Sequence, residues 1–258
     1  MRRFLIWSAS SLLLIAATYI VANHITYRTM AHAAVIAHPF TVEQWTYSYS
    51  STPPQVTEKR TFARRSDGSE VTVSVHPATP KLGVIRKLEW GDGATITLAD
   101  AIMAKTSSWL KREDLAAKKQ RLQNPPPKCA FPGEQVIGQE TLSGVSVWRV
   151  VRELPDRRLS EWRASEYACQ AIRALGETRS PDGSYKRQFE ATLVYLQPGE
   201  PDPLLFASGN QYKEMPPSEA KRNALRNMGL DEVKCPTCFD SNWDSEMDAA
   251  YRKRQERP

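Results

Sequence analysis

Two kinds of hydrophobic pattern follow one another along the chain. Arg2 and Arg3 precede an uncharged, mostly apolar run over residues 4–22, and from Phe40 onward apolar and polar positions alternate. The first run is longer than the apolar core of an ordinary signal peptide, about 7 to 15 residues, and approaches the roughly 20 that span a bilayer. Ser8, Ser10, Ser11 and Thr18 dilute it, and Ala31-His32-Ala33 offers an A-x-A cleavage site well beyond its end. Residues 1–33 therefore read as a cleaved signal or as an uncleaved transmembrane anchor with a short linker. In either case the basic pair predicts a cytoplasmic N-terminus and an extracytoplasmic remainder.

Beyond it the period is two. Phe40 and Val42, then Tyr47 and Tyr49, then Val71, Val73 and Val75 alternate with polar residues, as expected of half-buried antiparallel strands. Asp67-Gly68-Ser69 and Asp182-Gly183-Ser184 supply the positive backbone angles of tight hairpins. Gly91-Asp92-Gly93 reads as a third hairpin rather than a phosphate loop, because it joins two strands and not a strand to a helix. Consecutive strands are expected over residues 134–142, 145–152, 159–164, 168–175 and 185–196. On the last, Tyr185, Phe189, Ala191, Leu193 and Tyr195 fall on one face. Five in succession suggest a meander.

One long helix is expected over residues 98–122, with Thr97 and Asp100 as a capping pair and Pro125-Pro126-Pro127 as its stop. Leu98, Ile102, Trp109 and Ala116 would share a stripe, and Lys111, Arg112, Lys118 and Lys119 would form a basic opposite face. A second helix should follow Pro216-Pro217, capped by Ser218 and ended by Gly229, with Ala220, Ala224, Leu225 and Met228 inward. The charged tail from Asp244 is expected to fray. The division is then residues 1–33 as signal or anchor, 34–215 as the main domain, and 216–258 as helix, Cys-x-x-Cys segment and tail.

Composition adds little. The formal charge is +6, and setting aside Arg2 and Arg3 leaves a modest surplus without clustering. An exported chain with that charge and no nucleic-acid motif is not read as a nucleic-acid binder. A weak attraction to anionic lipid is compatible with it.

The cysteines change more. There are four, Cys129, Cys169, Cys235 and Cys238, and outside the cytoplasm an even number invites disulfides. Cys235-Pro-Thr-Cys238 has the spacing of a redox dithiol and of a zinc half-site. Its lead-in, Asp231-Glu-Val-Lys234, is too polar for the buried strand that a thioredoxin-type site needs, and Phe239 stands where haem attachment needs histidine. Cys129 and Cys169 are isolated, which argues against a four-thiolate zinc site. Structural bridges Cys129–Cys169 and Cys235–Cys238 are the favoured reading, with a redox pair and a metal site as alternatives.

Candidate catalysts are sparse. His24, His32 and His38 crowd the N-terminal segment, and His76 ends a strand before Pro77 without a nucleophile motif beside it. The acidic neighbours Asp231 with Glu232, and Asp244 with Glu246, read as solvated. No catalytic, metal or cofactor residue is assigned.

Three pieces between Gly138 and Tyr212 resemble the bacterial extracytoplasmic proteins grouped around the lipoprotein-localisation factors. They are Gly138-Gln-Glu-Thr-Leu-Ser-Gly144, Glu161-Trp-Arg-Ala164, and Pro198-Gly-Glu-Pro-Asp-Pro-Leu-Leu-Phe206 followed by Tyr212. The chain departs from that pattern at Gly209, where relatives carry proline, and it lacks the family's lipoprotein cysteine. The resemblance implies an α+β fold in which a curved antiparallel sheet packs against the helix, and a lipid, acyl chain or lipoprotein as partner. The resulting expectation is a non-enzymatic envelope protein that binds an apolar ligand or an envelope partner. A thiol-disulfide oxidoreductase using Cys235 and Cys238 and an envelope scaffold are the alternatives.

Overall fold

The computed structural model describes residues 38–231, 233–239 and 241–255. The run over residues 4–22, the Ala31-His32-Ala33 site, His24 and Glu232 lie outside them. None of the described helices is long and apolar enough to cross a membrane.

The architecture is α+β. Among the described residues twelve strands form one sheet: β1 Phe40–Ser48, β2 Gln55–Arg64, β3 Glu70–Val75, β4 Val84–Glu89, β5 Ala94–Ala99, β6 Ala104–Trp109, β7 Gln135–Leu142, β8 Val145–Glu153, β9 Arg157–Ala164, β10 Gln170–Arg179, β11 Tyr185–Pro198 and β12 Lys213–Glu214. Their spatial order is β12-β6-β5-β4-β3-β2-β1-β11-β10-β9-β8-β7. Two antiparallel meanders, β1 to β6 and β7 to β11, thus join where β1 pairs with β11, and only the short β12 runs parallel to its neighbour.

Turn chemistry sets this topology. At three hairpins an aspartate accepts the amide two residues on: Asp67 from Ser69 at 2.8 Å, Asp92 from Ala94 at 3.0 Å and Asp182 from Ser184 at 3.0 Å. The glycine between them in each case has positive φ, which only glycine adopts without steric cost.

The sheet carries cores on both faces. On one, Phe40 and Val42 of β1 pack with Val145 and Val147 of β8, Trp162 and Ala164 of β9, Tyr167 and Ile172. In strand order β1 and β8 are separated by β11, β10 and β9, so this cluster spans five neighbouring strands of the sheet. On the other face Ala63, Val71, Leu88 and Leu98 are covered by Phe206 and Tyr212. Tyr212 closes that segment: its hydroxyl donates to Asp100 Oδ1 at 2.5 Å and accepts from Arg86 Nη2 at 3.0 Å.

Among the described residues there are three α-helices: α1 Arg112–Gln123, α2 Pro217–Asn227 and α3 Ser241–Gln255. The expected helix over 98–122 is corrected by this. Residues 94–99 and 104–109 are the hairpin of β5 and β6, in which Leu98 faces Lys105, and Met103, with φ of 47°, turns the chain between them. The 4-7-7 spacing of Leu98, Ile102, Trp109 and Ala116 was fortuitous. Thr95, Thr97 and Thr106 with Ile96 and Leu98 favour strand through β-branching and alternation, and Asp100 bonds Tyr212 rather than capping a helix.

Two further expectations are revised at the C-terminal end. Ser218 does not cap α2 with its own side chain; its amide and hydroxyl both donate to Asp248 of α3, at 3.0 and 2.5 Å. The tail from Asp244 is helical, because Asp244 is buried between Lys221 at 2.9 Å and Arg222 at 3.1 Å of α2. Charges that look like solvated tail in sequence are half of an interhelical pairing.

Candidate functional site

A cleft of about 510 Å³ lies between α1 and the sheet face that carries Phe40 and Phe62, within the size range of ligand pockets, roughly 300 to 1,000 Å³. Strands β2 and β3 supply its floor. Arg64 and Glu70 are cross-strand partners, and Glu70 in turn faces Glu89 of β4. Two carboxylates side by side in a buried row repel unless a cation joins them. Lys118 of α1 does so, with Nζ 2.6 Å from Glu89 Oε1 and 3.1 Å from Glu70 Oε2, while Arg64 Nε lies 2.7 Å from Glu70 Oε1.

This arrangement replaces the expected basic face of the helix. Lys118 is the buried residue of α1, and its charge neutralises the floor instead of facing water. Burial pushes the Glu70 carboxyl up, but the charges and hydrogen bonds of Arg64 and Lys118 outweigh it and hold the group below its ordinary range. The floor is thereby two cations against two anions, locally balanced.

The walls are mixed. Phe62, Leu110, Ala117, Leu122, Phe131 and Ala171 contribute apolar surface, and Asp114, Arg121 and Gln170 contribute polar groups. The cavity is therefore amphipathic rather than purely apolar. It can take a molecule with both an aliphatic part and hydrogen-bonding groups.

A disulfide closes one end. Cys129 is bonded to Cys169, with the Cα atoms 5.2 Å apart, and Cys169 lines the cleft. Each cysteine and the residue before it has positive φ: Lys128 54° and Cys129 54°, Ala168 53° and Cys169 62°. Such conformations cost non-glycine residues about 1 kcal/mol or more each. Two buried arginines hold the segments that adopt them. Arg163 Nη1 donates to Cys129 O at 2.8 Å, and Arg64 Nη1 donates to Tyr167 O at 2.9 Å.

Arg163 also organises the loop that follows. It binds Glu134 through both nitrogens, at 2.6 and 2.9 Å, pairs with Glu161, and lies over the Phe131 ring. Burial raises the Glu134 carboxyl, but hydrogen bonds from Arg163 and the Phe131 amide, with the charges of Arg163 and Arg152, bring it below its ordinary range. Phe131 is thus fixed at the cleft by a charge cluster whose members are scattered through the sequence. Only the aromatic residue at 162 and the Glu161-Trp-Arg-Ala164 piece hinted at it.

Of the cysteines that the sequence singled out, Cys169 lines the cleft and Cys129 is bonded to it, whereas Cys235 and Cys238 lie outside the lining. The latter pair is also bonded, with Cα atoms 5.3 Å apart, in the connection from α2 to α3. No described strand leads into Cys235; its amide closes a turn onto Asp231 O at 2.9 Å. His76 lies outside the cleft lining. Among the described residues no group of three or more His, Cys, Asp and Glu could hold a metal ion. Two disulfides are a mark of an oxidising compartment.

No family model matches the chain, and no curated protein matches it either. Solved structures similar to it include an uncharacterised conserved protein from Thermus thermophilus, with 9% identity, 76% of this chain and 98% of that one covered, and a TM-score of 0.41. LprF from Mycobacterium bovis is similar at 13% identity, 72% and 95% coverage and a TM-score of 0.31. A domain from Vibrio parahaemolyticus assigned to outer membrane lipoprotein sorting is similar at 7% identity, 67% and 90% coverage and a TM-score of 0.27. The group that the pieces from Gly138 to Tyr212 resemble is thus represented among the structural neighbours. With every TM-score below 0.5, these likenesses carry nothing about the site.

Proposed function

We propose that the chain is a non-enzymatic binding protein of the bacterial envelope, acting on the extracytoplasmic side, and that its cleft takes an amphipathic molecule such as a lipid or the acyl chain of a lipoprotein. The observation that carries this reading is the cleft itself. Its charged floor is self-neutralised by Lys118, Glu70, Glu89 and Arg64, which lowers the cost of covering it with an aliphatic chain compared with an unpaired charge. Phe62, Leu110, Leu122 and Phe131 offer the apolar contact, while Asp114, Arg121 and Gln170 remain for a polar headgroup. In this reading residues 1–33 deliver the domain across the inner membrane, as a cleaved signal or a retained anchor, and 34–215 form the binding domain with 216–258 appended. The Cys129–Cys169 bridge serves as a structural wall of the site.

The test is a titration of delipidated protein with a fluorescent fatty acid and with an acylated peptide. Saturable binding of either with one site per chain supports the reading; absence of both overturns it. The oxidoreductase alternative predicts instead that the Cys235–Cys238 potential falls near the glutathione range and that Cys235→Ser abolishes a disulfide reductase activity. The turn geometry before Cys235 favours a structural bridge, which resists mild reductant.

A further inference from the structure

Outside the cleft, Arg149 on the α1 side of the sheet has no carboxylate partner among the described residues. Arg149 of β8 and Arg173 of β10 are both cross-strand partners of Trp162 in β9, and their guanidinium carbons lie 5.1 and 4.4 Å from its ring centroid. Trp162 is buried and anchored by its ring N–H, which donates to Glu140 Oε2 at 3.1 Å. Arg173 is satisfied by Glu190, 2.7 Å away, and Glu190 is further occupied by Arg187 and Tyr49. Arg149 differs. It pairs with no carboxylate among the described residues, and its Nε is buried without a hydrogen-bond partner.

We propose that Arg149, seated on Trp162, binds a phosphate or carboxylate oxyanion. A guanidinium stacked on an indole keeps its N–H edge free and fixed in direction, the arrangement in which arginine forms charge-assisted, two-pronged bonds to oxyanions. Space for the anion is present: the neighbour of Arg149 on the edge strand is Gly138, and a side chain there would meet nothing within 4 Å. Ser160, one diagonal step away on the same face, carries a second buried polar group without a partner, its hydroxyl. Three guanidiniums, of Arg149, Arg173 and Arg187, face two carboxylates, of Glu140 and Glu190, so the cluster retains a positive excess for the ligand to balance. This site does not depend on the cleft reading, since none of its residues lines the cleft.

The anion can be free or can be the headgroup of an amphiphile, and two probes separate these sources. Calorimetric titration of the full chain with inorganic phosphate and with dodecyl phosphate is compared for wild type, Arg149→Met, Arg149→Lys and Arg112→Met. Arg112 lies on exposed helix surface and removes the same charge elsewhere. Saturable wild-type binding of at least one probe is expected, with a loss of about tenfold or more in Arg149→Met, a smaller loss in Arg149→Lys, and none in Arg112→Met. Binding of dodecyl phosphate alone assigns the anion to a headgroup, and binding of both with equal affinity assigns it to a free oxyanion. Should Arg149→Met fail to fold, Arg149→Lys carries the test. No saturable wild-type binding of either probe overturns the proposal, as does binding that Arg149→Lys and Arg149→Met leave unchanged, or an equal loss in Arg112→Met.

Discussion

Lys118 Nζ lies 2.6 Å from Glu89 Oε1, and this contact helps tie helix α1 to the sheet at the cleft floor. The same ammonium reaches Glu70 at 3.1 Å, so two carboxylates on adjacent strands share it. Lys118→Met leaves Glu70 and Glu89 facing each other with Arg64 as the remaining cation. Breaking a buried pair by removing one partner costs about 3 to 5 kcal/mol. The variant should lose stability at the lower end of that range, because the cleft is open to water. Urea unfolding checks this, and Lys118→Met combined with Glu89→Gln should recover part of the loss.

Acid should act through the same cluster. The Glu70 carboxyl is held below its ordinary value of 4.5 in the folded chain, so the folded state binds this proton less readily than the unfolded one. Its contribution is complete above the unfolded value and is lost as pH falls through the folded value. Glu134 and Glu190, also depressed, act in the same sense. Stability should therefore decline below about pH 4.5, and Glu70→Gln should be less stable at neutral pH but show a shallower acid decline. Thermal melts across pH 2 to 7, on the order of the carboxylate range, measure both.

The two disulfides should not be equivalent. Cys129–Cys169 closes a separation of 40 residues and Cys235–Cys238 one of 3. Loop-closure entropy gives about 3 to 4 kcal/mol for the first and clearly less for the second. The Cys129→Ala, Cys169→Ala double variant should lower the melting temperature more than the Cys235→Ala, Cys238→Ala one. It should also weaken ligand binding, since it releases one end of the cleft.

Gly176 tests the packing of the second meander. Its cross-strand partner is Phe189, and a Cβ on Gly176 would fall 2.0 Å from the Phe189 ring. Gly176→Ala should destabilise by about 1 to 3 kcal/mol through this overpacking. Phe189→Leu in the same chain should restore most of the loss, which equilibrium unfolding of the four variants would show as a coupling energy.

The strands were legible because alternation and Asp-Gly turns act locally: β7 to β11 follow from the sequence within a few residues, as does their meander order. The segment from Thr95 to Gln123 was not, since Leu98 and Trp109 satisfy a helical stripe as well as an alternating strand pattern, and only pairing with β4 decides between them. The cleft was legible only in part. Cys129 and Cys169 could be matched, but the partnership of Lys118 with Glu70 and Glu89 joins residues brought together by sheet register and the return of α1. Charges read one at a time look solvated. Asp244 and Asp248 show the same effect, because their partners Lys221 and Ser218 lie on another helix.

The most direct test of the cleft as a binding site is the dissociation constant of a fluorescent fatty acid for delipidated wild type and for Ala117→Trp. Ala117 lines the cleft from an exposed helix position, so an indole there fills the space without disturbing the core. Saturable wild-type binding that Ala117→Trp weakens about tenfold or more, with an unchanged melting temperature, is the predicted result. Equal affinities in the two proteins, or no binding to wild type, would contradict it.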